Sequence, residues 1–137
     1  EDMRSPMVQK AVTWLKEHQN PDGGWGECCE CYHDPYVKGE GCSNASQTAW
    51  ALMGLMAAGE TASPEVKAGI QYLIKTQKKD GRWEEEHFTG TGFPSHFMIL
   101  YHLYRDIFPL MALGLFLRDV EGGKGAQPHH LKIHIPT

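Results

Sequence analysis

The chain has 137 residues, the size of one ordinary domain, of which 41% are hydrophobic and 22% are charged. This composition can form a buried core and excludes an intrinsically disordered chain. A net charge of −4 excludes a strongly basic domain of the kind that binds nucleic acid or anionic lipid. The most apolar run, residues 107–117, is about half the length of a membrane-spanning helix, so it predicts a buried helix.

Five helical segments are predicted in chain order. A Ser-Pro pair opens the first and the third, and Ser46 or Asn44 is the expected cap of the second. Pro109 cannot donate to the carbonyl of Arg105, so the chain is expected to kink or restart there. No convincing pair of strands is found, and the predicted fold class is all-α. The five segments cover residues 5–18, 46–59, 63–77, 93–107 and 109–120.

A loop rich in glycine, cysteine and charge is predicted over residues 26–43. Four of its residues could supply zinc ligands, namely Cys28, Cys31, His33 and Cys42, but there is no second CxxC and no helical HxxxH pair. Free thiols are therefore favoured over a metal site or a disulfide framework, and no metal is predicted. The four cysteines are Cys28, Cys29, Cys31 and Cys42.

An internal repeat relates residues 19–25, QNPDGGW, to residues 77–83, QKKDGRW, at an offset of 58. The glutamine side chain is expected to satisfy backbone groups left open at a helix end. The tryptophan ring is expected to cover that amide and tie one helical hairpin to the next. Two helices per repeat predict an α/α solenoid or toroid. The repeated positions are Gln19, Gly23 and Trp25 in the first unit and Gln77, Gly81 and Trp83 in the second.

These units resemble the QW repeats of triterpene cyclases. The stretches SQTAWALMGLMAAGE and FTGTGFPSHFMILYHLYRDIFPLMALG are similar to the C-terminal end of bacterial squalene–hopene cyclases. The resemblance covers roughly residues 5–119, and the motif GTGFP is its most specific part. Additional thiols at Cys28 and Cys31 and a histidine at position 96 depart from the family pattern. The implied fold is part of an α6/α6 toroid whose ring is incomplete.

The resemblance implies that the parent protein cyclises squalene to hopene or hopanol through a protonation-initiated carbocation cascade, with no cofactor. The family's acid lies in a D-x-D-D motif, and this chain contains none, so it holds no catalytic residue of that kind. Residues 1–119 are expected to be a C-terminal part of the cyclase domain and residues 120–137 a loose tail. The implied partners are squalene and the rest of the cyclase chain, at the cytoplasmic face of a membrane and without a spanning segment. The isolated fragment is expected to be inactive and to form a homo-oligomer.

Aromatic residues recur at helical spacing in the predicted fourth helix. Periodicity alone favours core packing for such a stripe. The resemblance instead assigns Phe93 and Phe97 to the wall that faces the later ring cations, and Tyr101 and Tyr104 to shaping and bracing the cavity. For Tyr104, and for Phe108 one turn further on, plain core packing is the alternative.

Two alternative functions remain open from the sequence. A zinc-dependent subunit like the prenyltransferase β subunit shares the toroid, and only the cysteine-rich loop favours it. A non-catalytic α/α repeat scaffold would need no chemistry at all. A stoichiometric zinc assay tests the first alternative, and a D-x-D-D motif upstream in the reading frame would exclude the second.

Overall fold

The computed structural model describes residues 2–93 and 96–122. Within them the chain is mostly α-helical, as predicted, and consists of two helical hairpins side by side. This arrangement is consistent with a segment of an α/α toroid. The helices are α1 (Pro6–Glu17), α2 (Ala45–Ala57), α3 (Pro64–Thr76) and α4 (Tyr104–Gly122), and a small antiparallel sheet pairs β1 (Gly90–Gly92) with β2 (Phe97–Ile99).

Each of the first three helices begins directly after a residue that the sequence predicts as its N-cap. The Ser63 hydroxyl accepts from the Val66 N–H at 3.3 Å, ahead of Pro64 at the first helical position. The Asn44 side chain accepts from the Gln47 N–H at 2.9 Å, so Asn44 rather than Ser46 caps α2. Ser5 precedes α1 in the same extended conformation but makes no side-chain capping bond.

The core forms around α2, which is buried on several faces and packs against both α3 and α4. Its leucines, together with those of α3, are completely shielded from solvent, and each such burial contributes about 1.5–3 kcal/mol. The α1 and α3 helices are amphipathic and cover the outside. The largest fully buried side chains include Leu52, Leu55, Leu73, Val66 and Trp83.

The repeat extends well beyond the two turns. Helices α1 and α3 begin at Pro6 and Pro64, which are again 58 residues apart. The backbone N–H of Trp25 donates to the Thr48 hydroxyl at 2.9 Å, and the backbone N–H of Trp83 donates to the Asp106 carboxylate at 3.4 Å. Thr48 and Asp106 are also 58 residues apart, so the inner helices α2 and α4 are equivalent parts of the two units.

The predicted helix starting at Phe93 is wrong. Residues 90–92 and 97–99 form the paired strands β1 and β2, and α4 begins at Tyr104. The hairpin is held by the Thr89 N–H donating to the Ile99 carbonyl at 3.2 Å and by the Thr91 hydroxyl donating to the Phe97 carbonyl at 2.8 Å. Phe93 itself has a φ of 45°, which a right-handed helix does not allow.

The helix does not restart at Pro109, because α4 continues from Tyr104 to Gly122 with Pro109 inside it, and a kink there stays a prediction. The proline removes the backbone bond to Arg105, a change that costs about 3 kcal/mol in a helix interior. Burial of its ring against the core offsets part of this cost. The helix extends to residue 122, past the predicted start of the tail at residue 120, and residues 123–137 lie outside the described part.

Candidate functional site

The first turn segment, residues 19–25, joins two units of the repeat. The Gln19 amide donates to the Gly23 carbonyl at 2.8 Å and to the Glu65 carbonyl in the first turn of α3 at 2.9 Å. The Trp25 indole donates to the Leu15 carbonyl, one of the free carbonyls at the end of α1, at 2.7 Å. Thus the tryptophan, rather than the glutamine as predicted, satisfies the helix end, and the glutamine bridges to the next unit.

The second turn segment, residues 77–83, reproduces the local part of this geometry. The Gln77 amide donates to the Gly81 carbonyl at 2.9 Å, and the Trp83 indole donates to the Leu73 carbonyl at 2.9 Å. The position equivalent to Glu65 is residue 123, which lies outside the described part of the chain, and Gln77 is exposed. The hydrogen bonds of both turn segments therefore organise packing.

Two further contacts fix the first unit against α3 and the turn that precedes it. The Trp25 ring lies against Gly69, where an added Cβ would be 2.7 Å from the ring. Lys16 pairs with Glu60 at 2.6 Å, and this hydrogen bond is the main reason that the pKa of Lys16 is raised. These contacts are consistent with the predicted role of the tryptophan in tying one hairpin to the next.

The predicted cavity residues fall into two groups rather than one helical stripe. Phe93 and Phe97 belong to the β hairpin, with ring centroids 6.1 Å apart in an edge-to-face arrangement. The Phe97 ring also lies over Gly92, where an added Cβ would be only 2.3 Å away. Phe93 is 77% exposed and Phe97 is 52% exposed, so both rings present faces that no described residue covers.

Tyr101 and Tyr104 form the second group, with their rings stacked at 4.5 Å. Tyr104 meets Phe108 edge-on at 5.0 Å, and the ring of Trp50 in α2 contacts both of them at 5.9 Å and 5.3 Å. Trp50 was missed as a member of this cluster. The signal was available, since Trp50 and Phe108 are 58 residues apart and occupy equivalent positions in the repeat.

The start of α4, and with it Tyr104, is anchored through Asp106. Its carboxylate accepts hydrogen bonds from the Arg82 guanidinium at 2.8 Å and from the backbone N–H of Trp83 at 3.4 Å. Burial by itself would raise the pKa of Asp106, but the hydrogen bonds from Arg82 and from the Trp83 N–H outweigh it, and that pKa lies below its usual value. The second turn segment thus holds the helix that carries the tyrosine cluster.

An open cavity of about 390 Å³ lies on the first unit and is lined by aromatic side chains that include Trp14, Trp25 and Trp50. None of the four predicted cavity residues lines it. In the described ranges, no group of three or more His, Cys, Asp or Glu side chains is arranged to hold a metal ion. Over the same ranges no helix is both long enough and apolar enough to cross a bilayer.

A family model described as the squalene-hopene cyclase C-terminal domain matches residues 1–118. The chain belongs to this family. It is 51% identical over 112 residues to the squalene–hopene cyclase of Bradyrhizobium diazoefficiens, covering 81% of this chain and 17% of that protein. The squalene–hopene cyclase of Alicyclobacillus acidocaldarius is 52% identical over an alignment of 163 residues, covering 84% of this chain and 26% of that protein.

A dammaradiene synthase from Dryopteris crassirhizoma is 44% identical over 135 residues, covering 88% of this chain and 20% of that protein. This member of the squalene–hopene cyclase family therefore spans about a fifth of the length of these curated relatives. The family resemblance inferred from the turn segments and the GTGFP stretch is confirmed.

Proposed function

We propose that this chain supplies part of the cavity wall of an enzyme that cyclises squalene to hopene or hopanol. The observation that carries the proposal is the pair of exposed rings on the β hairpin, Phe93 and Phe97, next to the GTG stretch. The similarity to squalene–hopene cyclases supplies the substrate class. On this proposal residues 1–119 belong to the cyclase domain, and its partner is the rest of that enzyme.

The chemistry of carbocations explains why such a wall is aromatic. A carbocation accepts no hydrogen bond, and a nucleophilic side chain would trap it. An aromatic face stabilises a cation through its quadrupole by about 0.5–2 kcal/mol without reacting with it. The rings of Phe93 and Phe97 have open faces, and we assign them to the later cations of the cascade.

The backbone at Phe93 supports the same assignment. A φ of 45° is unusual for a bulky residue, and such conformations cost about 1–3 kcal/mol and cluster at functional sites. The stacked pair Tyr101 and Tyr104, backed by Trp50, is assigned to bracing this part of the wall, because its rings mainly contact one another.

The acid that starts the cascade is not assigned to this chain. Its six aspartates, at positions 2, 22, 34, 80, 106 and 119, are all far apart in sequence. Asp106, moreover, is engaged by Arg82 and the Trp83 N–H. We therefore propose that the isolated chain is inactive, and that incubation with squalene returns squalene. A pentacyclic product above background would contradict this proposal.

In the whole enzyme we propose a peripheral association with the cytoplasmic face of a membrane, since squalene partitions into lipid. We also propose that the isolated chain self-associates. The α4 helix has an exposed apolar face, and hiding several hundred Å² of such surface at about 25 cal/mol per Å² offsets much of the cost of association. This face consists of Ile107, Leu110, Met111, Leu117 and Val120.

A segment exchange tests the proposed function. Residues 5–118 would replace the corresponding segment of the Alicyclobacillus cyclase, and products from squalene would be identified by gas chromatography–mass spectrometry. We expect pentacyclic product from the chimera. In the same background, Phe97→Ala should shift the products toward partly cyclised skeletons, whereas Tyr36→Ala, at a site 94% exposed in the loop, should leave them unchanged.

Two results would contradict the proposal. One is a folded chimera, with native-like circular dichroism, that releases no cyclised product. The other is a Phe97→Ala chimera that makes less product in the normal ratio, because this result would assign Phe97 to structural packing and not to cation stabilisation.

A further inference from the structure

The cysteine-rich loop contains a pair of thiols that the proposed function does not use. A 3₁₀ helix, Cys29–Tyr32, follows Cys28 directly, and the Cys31 N–H donates to the Cys28 carbonyl at 3.3 Å. This hydrogen bond closes a turn from Cys28 to Cys31, and turns of this kind bring their end Cα atoms within about 7 Å. Disulfides span Cα separations of about 4.4–6.8 Å, so this pair is within reach of one.

The other exposed thiol, Cys42, is less well placed. The Cys28 N–H donates to the Glu40 carbonyl at 2.9 Å, and the Asn44 N–H donates to the Trp25 carbonyl at 3.1 Å, so the two segments run antiparallel. Cys42 is then a diagonal neighbour of Cys28, and diagonal neighbours lie about 7–8 Å apart. Geometry therefore favours Cys31 over Cys42 as the partner of Cys28.

The two thiols of the turn lie in different environments. A two-step thiol exchange needs one exposed thiol that reacts first and a second thiol that reacts after it. Cys28 is exposed and lines an open cavity of about 230 Å³ together with His87 and Phe88. Cys31 is partly buried and donates to the Glu27 carboxylate at 3.1 Å. Burial, followed by this hydrogen bond, raises the pKa of Cys31 to about 11, so Cys31 remains protonated until a base takes its proton.

We propose that Cys28 and Cys31 form a thiol–disulfide exchange site for low-molecular-weight disulfides, with Glu27 as the base that activates Cys31. This inference does not depend on the proposed cyclase function. The thiolate of Cys28 attacks one sulfur of the small disulfide and forms a mixed disulfide; the S–S bond of the small disulfide breaks, and the leaving small thiolate takes from solvent the proton that Cys28 had released. Cys31 then transfers its proton to Glu27 and attacks the Cys28 sulfur; the mixed disulfide bond breaks, and the second small thiolate leaves with the proton from Glu27. In total, two protein thiols are oxidised to one disulfide, and one small disulfide is reduced to two thiols.

Glu27 connects this reaction to the rest of the loop. Its second carboxylate oxygen accepts from the Gly39 N–H at 2.6 Å, and its backbone N–H donates to the Gln47 side chain of α2 at 2.6 Å. Loss of the Cys31 donor on oxidation leaves these bonds in place. We therefore expect oxidation without unfolding of the chain.

The test is incubation of the intact chain with glutathione disulfide, followed by intact-mass measurement and peptide mapping. We expect a transient adduct of one glutathione at Cys28, followed by a product that has lost two hydrogens and carries a Cys28–Cys31 link. Cys31→Ser should stop at the adduct, and Cys28→Ser should form neither species. The controls Cys29→Ser and Cys42→Ser should behave as the parent chain does.

Glu27→Gln keeps an acceptor for the Cys31 thiol but removes the base, so closure of the mixed disulfide should slow at least several-fold. Unchanged closure in this variant overturns the role of Glu27. A mapped link between Cys28 and Cys42 or Cys29, or equal glutathione adducts on all four cysteines without any internal link, overturns the site itself. Tryptophan fluorescence confirms that each serine variant is folded before it is scored.

Discussion

The strongest quantitative test of the repeat is a matched pair of glycine substitutions, Gly23→Ala and Gly81→Ala. The two glycines occupy equivalent positions in the two turn segments, with φ values of 90° and 85°. Their surroundings differ. A Cβ at Gly23 would lie 2.7 Å from the carbonyl oxygen of Ala68 in α3, whereas a Cβ at Gly81 would meet nothing within 4 Å.

The expected magnitudes follow from this difference. Alanine in a left-handed conformation costs about 1–2 kcal/mol, and the stiffer unfolded chain returns about 0.4–1 kcal/mol of that cost. Gly81→Ala should therefore lower the free energy of unfolding by about 1 kcal/mol. At Gly23 the clash with a backbone atom adds an overpacking cost of about 1–3 kcal/mol, so we expect a total loss of about 2–4 kcal/mol.

Urea unfolding followed by tryptophan fluorescence and by far-ultraviolet circular dichroism measures both losses. With a slope of about 1–3 kcal/mol per molar urea, the two variants should differ in midpoint by roughly 1 M. Equal losses for Gly23→Ala and Gly81→Ala would refute the reasoning, because the contact between the first turn segment and α3 would then have no measurable energetic role.

Three further outcomes are expected. Gln19→Ala removes two hydrogen bonds and should lower the free energy of unfolding by about 1–3 kcal/mol. Gln77→Ala removes one side-chain hydrogen bond within the described residues and should lower it by less than about 1.5 kcal/mol. Equal losses on urea unfolding would contradict this expectation. Because folding lowers the pKa of Asp106, its stabilising contribution is present above the unfolded value of about 3.9 and is lost as the pH falls through the folded value. The parent chain and Asp106→Asn should thus have different urea midpoints near neutral pH and similar midpoints in strong acid. A difference in midpoint that stays constant with pH would argue against a stabilising role of the Asp106 carboxylate. Sedimentation equilibrium at micromolar concentration should show a dimer or larger species that Leu110→Glu weakens, and a monomeric parent that binds no hydrophobic dye would contradict self-association.

The candidate site was only partly predictable. Phe93, Phe97, Tyr101 and Tyr104 were identified through their resemblance to a family motif, and their role remains a proposal. Trp50 was missed, since its contact with Tyr104 joins α2 to α4 across more than 50 residues of sequence. Helical spacing within one segment carries no information about such a contact, which depends on how two helices pack.

The sequence by itself determined α1, α2, α3 and both turn segments. Each of these depends on bonds between residues close in sequence, such as the Gly24 N–H to the Asp22 carboxylate at 2.9 Å or the Val66 N–H to the Ser63 hydroxyl at 3.3 Å. The capping residues, the prolines at helix starts and the turn glycines are the sequence signals that predict these local structures. The offset of 58 also predicted that two equivalent hairpins exist.

Only the tertiary structure decided residues 90–93 and 96–103. Aromatic residues there are spaced for a helix, but aromatic and β-branched side chains also fit a strand, so the sequence alone leaves both structures open. The strand pair forms here instead of a helix because it is stabilised by the Thr89–Ile99 and Thr91–Phe97 hydrogen bonds. The Phe97 ring, which covers Gly92, stabilises it further. Asp106 then fixes the start of α4 against the second turn segment, more than 20 residues away in sequence. These interactions form only when the chain has folded back on itself, and no local pattern encodes them.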